Sequence, residues 1–159
     1  MTYLLHDEDA TRAFAARLAR CLRPGDVVAL RGDLGAGKTA LAREVIRSLG
    51  YDGGEIPSPT FTLVQTYEVS AGTIWHFDLY RLGDATEVFE LGWDEARIEG
   101  IILVEWPERL GRLLPETCLE IILVQGGPGT GGPAPGNIED TRQVTVTGGG
   151  DWPQRLVAL

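Results

Sequence analysis

The eight residues Gly32–Thr39, GDLGAGKT, constrain this chain more than any other stretch. They match G-x-x-x-x-G-K-[S/T] in full, a pattern with physical meaning only where a buried strand leads in and a helix leads out. Both flanks are present. Val27–Leu30 is a short apolar run of the buried-strand kind. From Lys38 onward Leu41, Val45 and Leu49 recur at helical spacing until Gly50 closes the helix. The glycines allow successive backbone N–H groups to turn inward as a nest for phosphate oxygens, and the helix adds its positive end. The expected cradle is therefore Asp33, Leu34, Gly35, Ala36, Gly37, Lys38, Thr39 and Ala40. Lys38 is placed to reach the β- and γ-phosphates, and the Thr39 hydroxyl to hold Mg²⁺. Composition agrees: the chain has 14 Lys and Arg together, and its one lysine is Lys38. A genomic base bias can favour arginine, but it does not explain why the exception falls in this loop.

The rest of the chain bounds the class. With 159 residues, one domain spanning 1–159 is the expectation. Hydrophobic content of 43% with 23% charged residues is ordinary for a globular protein. A net charge of −9 makes a free-standing binder of nucleic acid or anionic membrane a poor fit, since phosphate contacts need clustered Lys and Arg. The aliphatic stretches Ile101–Val104 and Ile121–Val124 are far shorter than a membrane span. MTYLLHDEDA lacks the pattern of a signal peptide. Cys21 and Cys118 form no disulfide framework or metal spacing and read as small buried hydrophobes. A cytoplasmic protein is expected.

Local patterns outline an α/β chain. Asp7, Glu8 and Asp9 suit a helix start, Phe14, Leu18 and Leu22 continue it, and Pro24-Gly25 stops it. Phe61–Val69 and Thr73–Asp78 alternate around Ser70-Ala71-Gly72 as a hairpin. Period two puts Trp75, Phe77 and Leu79 on one face, with His76, Asp78 and Tyr80 on the other. Asp84–Glu87 resembles a capping box opening a short helical stretch to the Gly92 region. Ile101–Val104, Leu119–Val124 and Gln143–Val146 read as further strands. Residues 126–136, GGPGTGGPAPG, are too rich in Gly and Pro to bury a core and are expected to be a flexible loop.

The nucleotide and the remaining chemistry follow from what accompanies the loop. The only asparagine is Asn137, so no N-K-x-D base-reading motif exists, and no Asp precedes Gly by three. GTP is disfavoured, which leaves ATP. An acidic group near the metal is needed, usually at the end of a buried strand. Glu105 follows Ile101–Val104 directly, although Asp is the commoner residue at such a place, and Asp78 is the other candidate.

The chain resembles the TsaE (YjeE) family of bacterial P-loop proteins required to make threonylcarbamoyladenosine in tRNA. GDLGAGKT at 32–39, SPTFTLV at 58–64, HFDLYRL at 76–82 and LVEWPERL at 103–110 carry the resemblance, in the family's order. It implies that Lys38 and Thr39 bind phosphates and Mg²⁺, and that Ser58, Pro59 and Thr60 form a switch-like loop near the γ-phosphate. It further implies that Asp78 serves hydrolysis within a motif holding His76, Tyr80 and Arg81. Glu105 would complete the metal site with Trp106 beside it. How Asp78 and Glu105 divide metal and water duties stays open. Ala40 stands where many members have a second Thr, and residues 126–159 carry none of the motifs.

The combined expectation is a three-layer P-loop NTPase-like fold with a mostly parallel central sheet and an antiparallel hairpin. Lys38, Asp78 and Glu105 are the expected catalytic residues, Thr39 and Glu105 the metal ligands, and Thr60 joins the nucleotide cradle. The resemblance implies a Mg²⁺-dependent ATPase that works with TsaD and TsaB and meets tRNA only through them. No arginine finger or water-orienting glutamine is identifiable, so weak hydrolysis in isolation and stimulation by partners are expected. The alternatives are a small-molecule P-loop kinase and a nucleotide-gated binding module without turnover.

Overall fold

Two strands that are apolar on both faces organise the protein. β2 (Val27–Arg31) and β5 (Ile101–Glu105) lie side by side and parallel, and their side chains are almost wholly buried. Such runs are stable only where layers cover both faces of a sheet. Alternation divides them: Val28, Leu30, Ile101 and Leu103 enter one core, while Val27, Ala29, Ile102 and Val104 enter the other.

The structure is a computed structural model and describes residues 1–126 and 141–159. The sequence-predicted loop at 126–136 thus lies outside the described residues, apart from Gly126. Seven strands form one sheet in the order β1-β7-β6-β2-β5-β4-β3. β6 (Leu119–Gln125), β2, β5 and β4 (Gly72–Asp78) form a parallel centre. β3 (Val64–Val69) closes one side as the expected hairpin with β4. Its strand begins three residues after Phe61, because Pro59 to Leu63 form a turn closed by Leu63 N–H donating to the Pro59 carbonyl at 2.7 Å. A second antiparallel flank, β1 (Thr2–Leu5) and β7 (Arg142–Gly148), covers the edge of β6.

On the first face pack α1 (Glu8–Cys21) and α2 (Lys38–Ser48), through Phe14, Leu18, Leu41, Val45 and Ile46. The Asp7 side chain accepts from Ala10 N at 2.7 Å and caps α1, as its acidic start predicts. The second face is covered by α3 (Trp93–Glu99) and the 3₁₀ segments Ala85–Leu91 and Pro107–Leu113, through Val88, Trp93, Ala96 and Leu110. The expected capping box at Asp84 is present, but the turn it opens is 3₁₀ and not α. The chain closes with α4 (Trp152–Arg155) and a 3₁₀ turn at Leu156–Ala158. No helix among the described residues is long and apolar enough to cross a membrane.

Candidate functional site

The parallel centre brings three chain turns to one edge of the sheet. Leu30 and Asp78 both lie in register with Glu105, so β2, β4 and β5 end at the same level. In open parallel sheets the crevice at the strands' carboxyl ends is where ligands bind. Here a cavity of about 210 Å³ opens at that edge, lined by Leu34, Gly35, Gly37, Lys38, Thr39, Ala40, Thr60, Asp78, Tyr80, Glu105 and Trp106. Nine of the sequence-predicted site residues therefore share one cavity. Asp33 and Ala36 do not line it. Ala36 is buried in the first core, and the Asp33 carbonyl accepts from the Ala36 N–H at 3.1 Å, shaping the turn from behind.

The loop needs glycine at two places in particular. Gly32 has φ +147°, and a Cβ there would lie 2.5 Å from the Leu123 carbonyl oxygen. Gly37 has φ +99°, and a Cβ there would meet the Arg142 Nε at 2.5 Å. Positive φ favours glycine at both; at Gly32 the backbone contact also excludes a Cβ, whereas at Gly37 the Arg142 side chain would have to shift. The Gly37 contact shows a neighbour that sequence reasoning missed: Arg142, on β7, lies against the phosphate loop. Nothing in local spacing could reveal it, because the approach depends on the sheet order.

Lys38 is buried although charged. Its ammonium donates to the carbonyls of Gly32 and Asp33, the latter at 2.9 Å, and lies over the Trp106 ring, 4.0 Å from the centroid. Desolvation pulls the Lys38 pKa below the ordinary lysine value, opposed by the negative charges of Glu105, Glu108, Asp78 and Asp33. The Tyr80 ring leans on Trp106 with centroids 4.9 Å apart, forming one wall of the cavity.

The two carboxylates have different surroundings. Glu105 is 2% exposed. Both of its oxygens accept from Thr39 Oγ1 at 2.9 Å, and Oε1 also lies 2.8 Å from His76 Nε2. Asp78 accepts from Thr60 Oγ1 at 3.1 Å on Oδ2 and from the Tyr80 backbone N–H at 3.1 Å on Oδ1. Thr60 Oγ1 is 2.7 Å from Ser58 Oγ, so the SPT segment is tied to β4 through Asp78. The Asp78 N–H donates to the Leu63 carbonyl at 2.9 Å. Arg81 stacks over Phe61, 4.6 Å from the ring centroid, and joins the same two segments on their outer side.

Among the described residues only Leu63 and Trp106 are non-glycines with positive φ, at 67° and 58°. Both adjoin this site, one in the turn before β3 and one directly after Glu105. Strain of this kind persists only where the surroundings over-determine it, and it concentrates at functional sites. A buried cation, two buried carboxylates and a glycine cradle on one sheet edge make a site for a phosphate-bearing ligand.

Comparison with known proteins agrees. The family model for "Threonylcarbamoyl adenosine biosynthesis protein TsaE" matches residues 5–128. The chain is 46% identical over 120 residues to a tRNA threonylcarbamoyladenosine biosynthesis protein TsaE of Rickettsia felis, covering 76% of this chain and 70% of that one. It is 35% identical over 149 residues to the Bacillus subtilis protein of the same name, covering 93% and 85%. The crystal structure of Bacillus subtilis YdiB superposes with a TM-score of 0.69 at 29% identity, over 97% of this chain and 88% of that one. The glycine cradle, its buried lysine and the family match together assign the chain to the TsaE family of P-loop nucleotide-binding proteins.

Proposed function

We propose that this chain, acting as one P-loop domain, binds and hydrolyses ATP with Mg²⁺ in the cytoplasm and so supports threonylcarbamoylation of adenosine 37 in tRNA. The observation that carries the reading is the convergence of Lys38, Thr39, Asp78 and Glu105 on one cavity at the carboxyl ends of β2, β4 and β5. The relatives named above are biosynthesis proteins for this modification, which supplies the pathway.

The donor set suits a hard divalent cation. The Thr39 hydroxyl and the Glu105 carboxylate are oxygen donors already in mutual contact, and Mg²⁺ is ordinarily held by one or two carboxylates together with phosphate oxygens. Thr39 and Glu105 would hold the ion, which when bound neutralises charge that develops on the phosphates. The residues themselves do the remaining work. The backbone from Asp33 to Ala40 cradles the phosphates, and Lys38 supplies a positive charge made strong by its desolvation. Asp78, anchored by Thr60 and the Tyr80 N–H, is the group placed to orient an attacking water and accept its proton. Because Thr60 donates to Asp78 and Ser58 bonds Thr60, a γ-phosphate reaching the SPT segment would be felt at Asp78.

The chain transfers no carbamoyl group in this reading and works with TsaD and TsaB. Net charge of −9 keeps tRNA at a distance, to be met through those partners. ATP turnover by the wild type and Lys38→Ala, each with and without purified TsaB and TsaD, tests the whole reading. A rise with the partners that vanishes in Lys38→Ala is expected. Turnover indifferent to the partners would overturn the assignment.

A further inference from the structure

Among the described residues, His76 is the one fully buried titratable side chain beside the site to which the proposed hydrolysis assigns no task. It lies two residues before Asp78 on the same face of β4, at 0% exposure. Its register partner is Leu103, which places it diagonally below Glu105 on the neighbouring strand. Its Nε2 reaches Glu105 Oε1 at 2.8 Å, and its Nδ1 is buried without a partner among the described residues. A carboxylate only accepts, so Nε2 carries the proton of this contact.

Glutamate in place of the usual strand-end aspartate explains why such a contact is useful. The extra methylene adds a rotatable bond, and a carboxylate that can swing is a poor ligand until something fixes its plane. Thr39 holds both Glu105 oxygens from the cavity side, but through a single hydroxyl hydrogen shared between them. His76 reaches Oε1 from beneath at 0% exposure, on the side away from the phosphate loop's cavity lining.

We infer that His76 is a positioning residue: its Nε2–H fixes the Glu105 carboxylate in the orientation that presents it to a divalent cation beside Thr39. The inference rests on the ATPase reading above for the identity of the cation. Partners of this kind behind metal ligands contribute ~10–100-fold to metal affinity when removed.

Three variants separate positioning from packing. Gln at 76 keeps a donor near the Nε2 position, Leu removes it, and Asn stops one methylene short. Thermal unfolding without ligand establishes which are folded, and calorimetry with ADP, with and without MgCl₂, reads the site. In His76→Leu the affinity for ADP alone is expected to stay within about twofold of wild type, while the gain from Mg²⁺ falls at least tenfold. His76→Gln is expected to recover most of that gain. For turnover, the Mg²⁺ concentration at half-maximal rate rises tenfold or more, with a smaller change in the KM for ATP. Should Leu prevent folding, the contrast between Gln and Asn carries the same test. A full Mg²⁺ response in the folded variant lacking the donor overturns the positioning role. A wild type that gains no ADP affinity from Mg²⁺ instead overturns the ATPase reading beneath it. A ligand-free check is independent of both: the ¹H–¹⁵N spectrum of the two histidines, assigned with His6→Gln, must show His76 as the Nε2–H tautomer. An Nδ1–H tautomer overturns the inference whatever the turnover.

Discussion

The two sides of the sheet are built on different terms. The parallel side, β2, β5 and β4, gathers the buried Lys38, Asp78 and Glu105 around one cavity, with His76 buried against Glu105. The other side, the antiparallel flank of β1 and β7 with the strand β6 it covers, has no buried charged side chain among its described strand residues. Its inward positions are apolar, Leu5, Ile121, Leu123, Val144 and Val146, and its outward ones are left partly open, as at Leu4, Ile122 and Val124. Burying charge is costly, and a chain that does so at Lys38, Asp78 and Glu105 on one edge marks that edge as a functional-site candidate. The flank serves to close the sheet and to carry Arg142 to the phosphate loop.

If that contrast is right, its largest consequence is at Lys38. Lys38→Ala is expected to abolish ATP turnover while leaving the fold intact, because it removes the desolvated charge aimed at the phosphates and no core packing. Turnover and unfolding measured on the same preparation check both halves. Asp78→Asn comes next. It retains the size of Asp78 and an oxygen that can accept from Thr60 or Tyr80, yet cannot take a proton. A fall in kcat of about 10²–10³-fold with nucleotide affinity within a few-fold is expected. A matched loss of affinity would instead make Asp78 a binding group.

An ion pair remote from that cavity must respond in the opposite way. Arg155 closes α4 onto the body: its guanidinium donates to Asp26 (2.9 Å for one of two contacts) and to the Cys21 carbonyl, and lies over the Trp152 ring at 3.8 Å. Arg155→Leu leaves Asp26 without its partner, and breaking a largely buried pair costs about 3 kcal/mol. In a chain of this size that lowers Tm by roughly 6–12 °C. Nucleotide affinity is expected to be unchanged below the new transition. A comparable loss of affinity at equal foldedness would erase the distinction between the charged edge and the rest of the molecule.

The same division explains what could be read from the sequence. The strand, loop and helix around GDLGAGKT, the hairpin, and the candidates Asp78 and Glu105 were legible because each rests on local periodicity or on a turn beside it. β1 was not: four residues pair only with β7 and show one buried side chain, too little for a period. The 3₁₀ segment after Trp106 depends on a left-handed residue that no propensity favours. Arg142 against Gly37, and His76 beneath Glu105, arise from strand order, which spacing does not encode. The residue types at the site were visible; the contacts that give each its character were tertiary.

The smallest expected effect is a pH dependence, and it tests whether desolvation or charge governs Lys38. Burial is the largest influence on it and lowers its pKa; the neighbouring carboxylates raise it and only partly offset that. The sign follows: the charged form is disfavoured in the folded protein, so folding is slightly more favourable once pH rises far enough to neutralise this lysine in both states. Nucleotide binding needs the charge, so it moves the other way. The kcat/KM for ATP reports the free protein and is expected to fall on the alkaline side at a lower pH than an ordinary lysine would give. Lys38→Arg supplies the control, since a guanidinium keeps its charge throughout that range. Whatever activity it retains is expected to lack this alkaline limb. An unchanged limb in that variant would assign the titration to another group.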